Sequence, residues 1–178
     1  MDPHNYMRYN DPSQQPISGS TIGNLTDETA ATFDHFQAFW TEFAGRFKDN
    51  EKVIFGIMNE PHDMPTTYVL ANDQLAIDAI RLVGAKQMIL APGNGWTGGH
   101  AWFDDEAGNN SLYINRLVDP LNNTAIDIHE YLDQDFSGGH QSCTQPAPSN
   151  LANVTSWLKT NGLKVLLLYR PLNRDHAY

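Results

Sequence analysis

Short apolar runs in this chain end abruptly in polar residues and are separated by segments with helical periodicity. That alternation constrains the fold more than any other feature. Val53 to Met58, Gln87 to Ala91, Ala125 to His129 and Lys164 to Leu168 read as strands. Each is a near-continuous apolar run rather than an in–out alternation, the pattern of a parallel sheet covered by helices. Thr29 to Lys48 places Phe33, Phe36, Phe39, Trp40, Phe43 and Phe47 at spacings of three and four, an amphipathic helix whose aromatic stripe is core. Thr26 and Asp27 are its expected caps. A second helix is expected over about 68–83, with Thr66 and Thr67 before it. Its stripe is Leu75, Ala79 and Leu82, and its stop is Gly84. Leu112 to Leu117 reads as a short helix and Leu151 to Thr160 as a longer one, ended by Asn161-Gly162.

The resulting β-α-β-α-β-α-β order fits two α/β architectures, an open doubly wound sheet and a (β/α)8 barrel. No G-x-G-x-x-G follows any strand, which weakens the dinucleotide-binding version of the first. The chain has 178 residues, 40% of them hydrophobic, enough for one ordinary domain or part of a larger one. A formal charge of −10 repels phosphate backbones and argues against nucleic-acid partners. No apolar run is long enough to span a membrane. The opening residues MDPHNYMRYN carry no signal-peptide pattern. Four N-x-[ST] sequons, at Asn24, Asn109, Asn122 and Asn153, nevertheless suit a secreted parent protein. Cys143, the only cysteine, is either a free thiol or half of a disulfide whose partner lies outside this sequence.

The polar residues gather at strand ends. Asn59 and Glu60 end one strand, Asn94 and Trp96 follow the next, and His129 and Tyr131 end the third. His4 and Asn5 sit at the start of the chain. In a barrel these ends share one rim, where barrel active sites form. Period-two geometry puts His129 and Tyr131 on one face and Glu130 on the other, so Glu130 is expected in a supporting or solvated position. Asp127 shares the face of His129 but lies deeper, where a structural hydrogen bond is expected.

Asn59-Glu60-Pro61 after "VIFGIM", His4-Asn5-Tyr6, and His129-x-Tyr131 resemble glycoside hydrolase family 5. The stretches "DPHNYMRYN", "FGIMNEPHDM", "LAPGNGW" and "IDIHEYLDQDFSGGH" are similar to its secreted fungal-type endo-β-1,4-glucanases. The resemblance implies a (β/α)8 TIM barrel, incomplete here, with roughly five of eight strands present. It also implies cleavage of internal β-1,4-glucosidic bonds of cellulose and related glucans with retention. Two carboxyl groups about 5–5.5 Å apart carry that chemistry, one as acid/base and one as nucleophile. Glu60 matches the acid/base, a role that needs its proton held near working pH by apolar walls or a neighbouring carboxylate. Asn59 matches the residue holding the sugar 2-hydroxyl. His4 and His129 would bind the sugar or orient the carboxylates, and Tyr131 would donate near the nucleophile or contact the sugar ring. Trp96 is the expected stacking platform, and His62 is expected to line the cleft. The parent is implied to be a secreted monomer acting on a glucan chain without cofactor, and because no cysteine–histidine cluster stands at metal-ligand spacing, no metal is expected.

The sequence departs from the family where the nucleophile is expected. The last strand begins "NGLKVLL" and continues Leu168-Tyr169-Arg170-Pro171, and no Glu follows Glu130. Residues 1–166 therefore read as a partial catalytic barrel and 167–178 as a non-family tail, from a frameshift or a mis-called exon end. No nucleophile is expected in the chain, which as written should be inactive. A mannanase or β-1,3-glucanase of the same family, or a non-catalytic glycan-binding remnant, remains open on these residues alone.

Overall fold

A computed structural model describes residues 1–9 and 19–170. Its elements are α1 (Phe33–Phe47), β1 (Phe55–Gly56), α2 (Thr66–Leu82), β2 (Ile89–Ala91), β3 (Thr124–Tyr131), α3 (Ala147–Thr160) and β4 (Lys164–Arg170). The expected short helix is two 3₁₀ turns, Asn110–Leu112 and Ile114–Arg116. The strands form one parallel sheet in the order β1-β2-β3-β4. That order decides between the two architectures. A doubly wound sheet reverses its order at a switch point, whereas a barrel adds each new strand on the same side. No reversal occurs here, so the sheet is a stretch of barrel wall.

Residues 1–3 extend this wall beyond β1. The Met1 ammonium donates to Ile54 O, Gly56 N donates to Met1 O, and Asn59 N donates to Pro3 O, each at 2.9 Å. With β1–β4 this stub makes up the roughly five strands expected of the partial barrel. Gly56 lets it approach, because a Cβ on Gly56 would lie 2.9 Å from Asp2 Cβ. At the far side of the sheet, Val165, Leu166, Leu167 and Leu168 of β4 are all exposed. An apolar groove of about 570 Å³, lined by Pro3, Tyr9, Ile22, Phe36, Phe39 and Met58, opens beside the stub. The core lies between the sheet and α1, α2 and α3.

Three local expectations need correcting. Thr32, not Thr26 or Asp27, caps α1: its side chain accepts from His35 N at 3.2 Å, and His35 Nδ1 accepts from Thr32 N. Thr26 and Asp27 are consumed by turns just before, where Asn24 Oδ1 accepts from Thr26 N and Asp27 Oδ1 from Thr29 N. Within α1, Trp40 and Phe36 are buried and Trp40 meets Phe55 edge-on at 6.1 Å, but Phe39 is exposed beside the groove. Of the expected α2 stripe Ala79 is buried and Leu75 half-buried, but Leu82 is 79% exposed, and the buried face centres on Val69, Asp73, Ala76, Ile77 and Ile80. Leu82 lies about 200° around the helix from Ile80, so it cannot share that face.

Asp73 is fully buried on the core side of α2, and burial raises its carboxyl well above the ordinary 3.8. A folded-state acid with a raised pKa costs stability once the unfolded chain ionises, from about pH 4 upward. Asp73→Asn is therefore expected to raise the thermal midpoint at pH 7 and to have no such effect below pH 3. Melts at both pH values check it; an unchanged midpoint at pH 7 would contradict the buried neutral acid.

Candidate active site

The carboxyl ends of the strands carry a cleft of about 510 Å³ lined by Tyr6, Glu60, Trp96, His100, His129 and Tyr131, with Asp135, Phe136 and Ser137 on its loop side. β1 stops at Gly56, and the chain turns out of the sheet at Asn59 and Glu60. Glu60 takes a left-handed backbone, φ 46°, which aims its side chain across the rim. Such a conformation in a residue other than glycine costs energy and persists only where neighbours hold it.

The main neighbour is His129. Its Nδ1 lies 2.7 Å from Glu60 Oε1, and its Nε2 faces Asp127 Oδ2 at 3.6 Å. The imidazole is thus set between two carboxylates and is almost fully buried. Its backbone is fixed too: His129 N donates to Thr97 O and Gly99 N donates to His129 O, both at 3.0 Å. Burial alone would lower the affinity of His129 for its proton. The nearby carboxylates of Asp127 and Glu60, the latter hydrogen-bonded to the ring, outweigh that and raise its pKa from 6.5 to about 9. His129 is therefore an imidazolium at neutral pH, donating to Glu60.

A base with a raised folded-state pKa stabilises the fold fully below its unfolded value and loses that contribution as pH rises to the folded value. The thermal midpoint is expected to fall between pH 6.5 and 9. His129→Gln should abolish that part of the slope while leaving the acid side unchanged. A variant with the wild-type slope would show that the imidazolium contributes nothing.

The other predicted residues divide into two groups. Tyr131 and Trp96 join Glu60 and His129 on the cleft, and Trp96 is 49% exposed. Asn59 and His4 form a separate pair, with Asn59 Nδ2 3.1 Å from His4 Nε2 at the stub edge of the rim. His4 is largely exposed and touches Asn59 rather than Glu60. His62 does not line the cleft: its ring lies flat behind Trp96, with centroids 4.3 Å apart and an 8° interplanar angle. Its Nδ1 is 2.8 Å from Asp63 Oδ2, and the Tyr6 ring meets it edge-on. Glu130 does point away from His129, as period two requires, but it is fully buried rather than solvated. It accepts from His100 N at 2.9 Å. Asp127 meets His129 as a partner at 3.6 Å, longer than the hydrogen bond expected of it.

Tyr6, His100 and Phe136 are among the cleft residues that strand-end reasoning missed. Tyr6 was in reach, since it follows His4-Asn5 directly. His100 and Phe136 sit in loops, where no periodicity marks direction. On that loop side, Asp133 is a buried anchor. Burial would raise its carboxyl, but donation from His140 N and Gly138 N, and from His140 and Ser137 side chains, holds it at about 2. Asp133, Asp135 and His140 bring possible ligand atoms within 4.8 Å of one another. The Asp133 oxygens are already engaged by those donors, which makes the cluster a loop staple. Cys143 is exposed and forms no disulfide among the described residues.

Comparison with known proteins gives a consistent picture. The family model described as Cellulase (glycosyl hydrolase family 5) matches residues 1–168. Endoglucanase 1 of Robillarda sp. (strain Y-20) is 62% identical over 167 residues, which cover 94% of this chain and 43% of that protein. The solved structure of XacCel5A in complex with cellopentaose aligns with a TM-score of 0.84 and 36% identity, over 98% of this chain and 53% of that one. Cel5A (EG2) from Hypocrea jecorina aligns with a TM-score of 0.80 and 31% identity, over 94% of this chain and 48% of that one. These solved relatives are (β/α)8 barrels, and the sheet described above corresponds to part of such a barrel. The chain spans about half the length, or less, of the proteins it matches.

Proposed function

Because the chain belongs to the cellulases of glycosyl hydrolase family 5, we propose that it carries the acid/base half of an endo-β-1,4-glucanase site, working on a cellulose-like glucan with retention. The observation that carries this reading is Glu60, four residues beyond β1, its Oε1 2.7 Å from a buried His129, in a cleft beside an exposed tryptophan. Glu60 gives its proton to the glycosidic oxygen as the bond breaks, then takes one from the water that releases the glycosyl–enzyme. His129 holds the carboxyl in position and is the nearest proton source to it. Asn59, oriented by His4, receives the sugar 2-hydroxyl. Trp96 supports the apolar face of a pyranose ring, and Tyr131 donates to the second carboxylate.

That second carboxylate is not supplied by residues 1–166 in this proposal. β4 runs beside β3 with Leu168 in register with His129, and its sequence there holds no Glu. Residues 1–166 are read as barrel and 167–178 as a tail foreign to it, of which 171–178 lie outside the described residues. The parent is proposed to be a secreted monomer. Asn122 and Asn153 are the exposed sequons suited to glycans, whereas the amide of Asn109 is tied to Asp105 and Asn24 is engaged with Thr26.

A chimera tests the reading. Residues 1–166 are joined to the flanking segments of the Robillarda enzyme to complete a barrel and assayed on carboxymethylcellulose. Viscosity is expected to fall well before reducing ends accumulate, the mark of internal cleavage, while the 178-residue chain alone releases none. A folded chimera with no turnover, or turnover by the chain alone, would overturn the proposal. The rival reading as a non-catalytic binder is favoured by a folded chimera that binds cellopentaose without cutting it.

A further inference from the structure

Three features of the cleft's loop side have no part in the chemistry above: a buried carboxylate at Glu130, a buried carboxylate at Asp133 and a strained phenylalanine at Phe136. All three converge on one pair of rings. His100 and Phe136 stack face to face, with centroids 3.9 Å apart and 13° between planes, and both line the same cleft as Glu60 and Trp96.

Each ring is fixed from behind. Glu130 accepts from His100 N at 2.9 Å and lies 3.3 Å from His100 Nδ1, so one buried carboxylate sets both the backbone and the imidazole. Phe136 has a left-handed backbone, φ 59°. A bulky residue rarely adopts it, and where it does the surroundings must enforce it. Here Asp133 enforces it by accepting from Gly138 N at 3.1 Å and His140 N at 3.0 Å, which closes the loop that presents Phe136. Gly138 seats that loop on the cleft floor: a Cβ there would come within 2.8 Å of the Tyr131 ring. A residue held in strain, with its ring half-exposed at a cleft and its back covered by a second ring, is preorganised for an apolar flat ligand surface.

Resting on the endoglucanase reading, we propose that the His100–Phe136 stack is a second sugar platform of this site, a specificity-determining pair that takes the C–H face of a β-linked glucosyl unit other than the one on Trp96. Phe136 supplies the contact face. His100 backs it and offers a ring nitrogen to a sugar hydroxyl. Glu130 and Asp133 are positioning residues, acting through His100 and through the loop.

Calorimetry of the completed chimera carrying Glu60→Gln, which leaves cellopentaose uncut, tests this, with unfolding midpoints recorded for every variant. Phe136→Gly suits the left-handed backbone and removes only the ring. It is expected to weaken cellopentaose binding about tenfold, and Phe136→Trp to keep it. Wild-type cellopentaose affinity in Phe136→Gly, or a Phe136→Trp variant as weak as Phe136→Gly, would overturn the second platform. If Trp96→Ala weakens binding while Phe136→Gly does not, this inference fails and the endoglucanase reading stands. If the folded Glu60→Gln chimera with every other residue unchanged binds no cellopentaose, that reading fails and takes this inference with it.

Discussion

Glu60→Gln in the completed chimera is expected to lower kcat on carboxymethylcellulose by about 10²–10⁴, the range that general acid–base catalysis supplies. The amide keeps the size of the side chain and can still accept from His129 Nδ1, so the cleft should keep its shape. What disappears is the transferable proton. A sugar alkoxide is a poor leaving group and needs that proton as the bond breaks. An aryl glycoside with a nitrophenolate leaving group does not, so its first step should be nearly unaffected by the substitution. The second step needs Glu60 as a base for water. Azide, which attacks without a base, should restore turnover on the aryl substrate and release a glycosyl azide. A chimera that retained wild-type activity with Gln at this position would remove Glu60 from the mechanism, and with it the assignment of the cleft.

The largest expected effect on stability lies far from the cleft. Arg81→Met should cost about 3–5 kcal/mol, the penalty for leaving one member of a buried ion pair alone. Arg81 holds Asp119 with two parallel bonds, Nε to Oδ1 at 2.8 Å and Nη2 to Oδ2 at 2.9 Å, and both side chains are almost wholly buried. Its Nη1 also donates to Ala85 O and Gln87 O, and Asp119 accepts from Leu121 N, Asn123 N and the Thr124 hydroxyl. One pair thus ties the end of α2 to the starts of β2 and β3. The Arg81 guanidinium, against the opposing cost of burial, holds the Asp119 carboxyl well below the ordinary carboxylate range. A depressed folded-state pKa stabilises above the unfolded value of about 3.8 and loses that stabilisation as pH falls through the folded one. Urea titrations at pH 7 should show the full loss for Arg81→Met, and at pH 2 a smaller one. Arg81→Met with Asp119→Leu should recover part of it, because no charge is then stranded. Equal stability of wild type and Arg81→Met at pH 7 would contradict this account.

The residues legible in sequence were those whose direction follows from chain periodicity. The apolar runs fixed where the strands lie, and period two on β3 correctly separated His129 and Tyr131 from Glu130. Helix existence followed from spacing, but helix rotation did not. The inward face of α2 includes Asp73, a residue no hydrophobic pattern would place there. Caps were misread because Asn24, Thr26, Asp27 and Thr32 are all capable acceptors, and only the path of the backbone decides which one faces a helix end. His62 turned away from the cleft because Trp96, thirty-four residues on, offers it a ring to stack on. His100 and Phe136 were invisible for the same reason. Their placement depends on bonds to Glu130 and Asp133 across loops, which local sequence does not encode.

The approach of the first residues to β1 has a consequence for the cleft. His4 reaches Asn59 only because Asp2 lies against the bare α-carbon of Gly56, four residues upstream of Glu60. Replacing one hydrogen there by a methyl group would lever the start of the chain off the sheet. The amide proposed to grip the sugar would then lose its orienting histidine without any change in the cleft itself. The reach of the proposed site into a glucan is therefore gauged by an atom that is not there, on the far side of the strand that leads to Glu60.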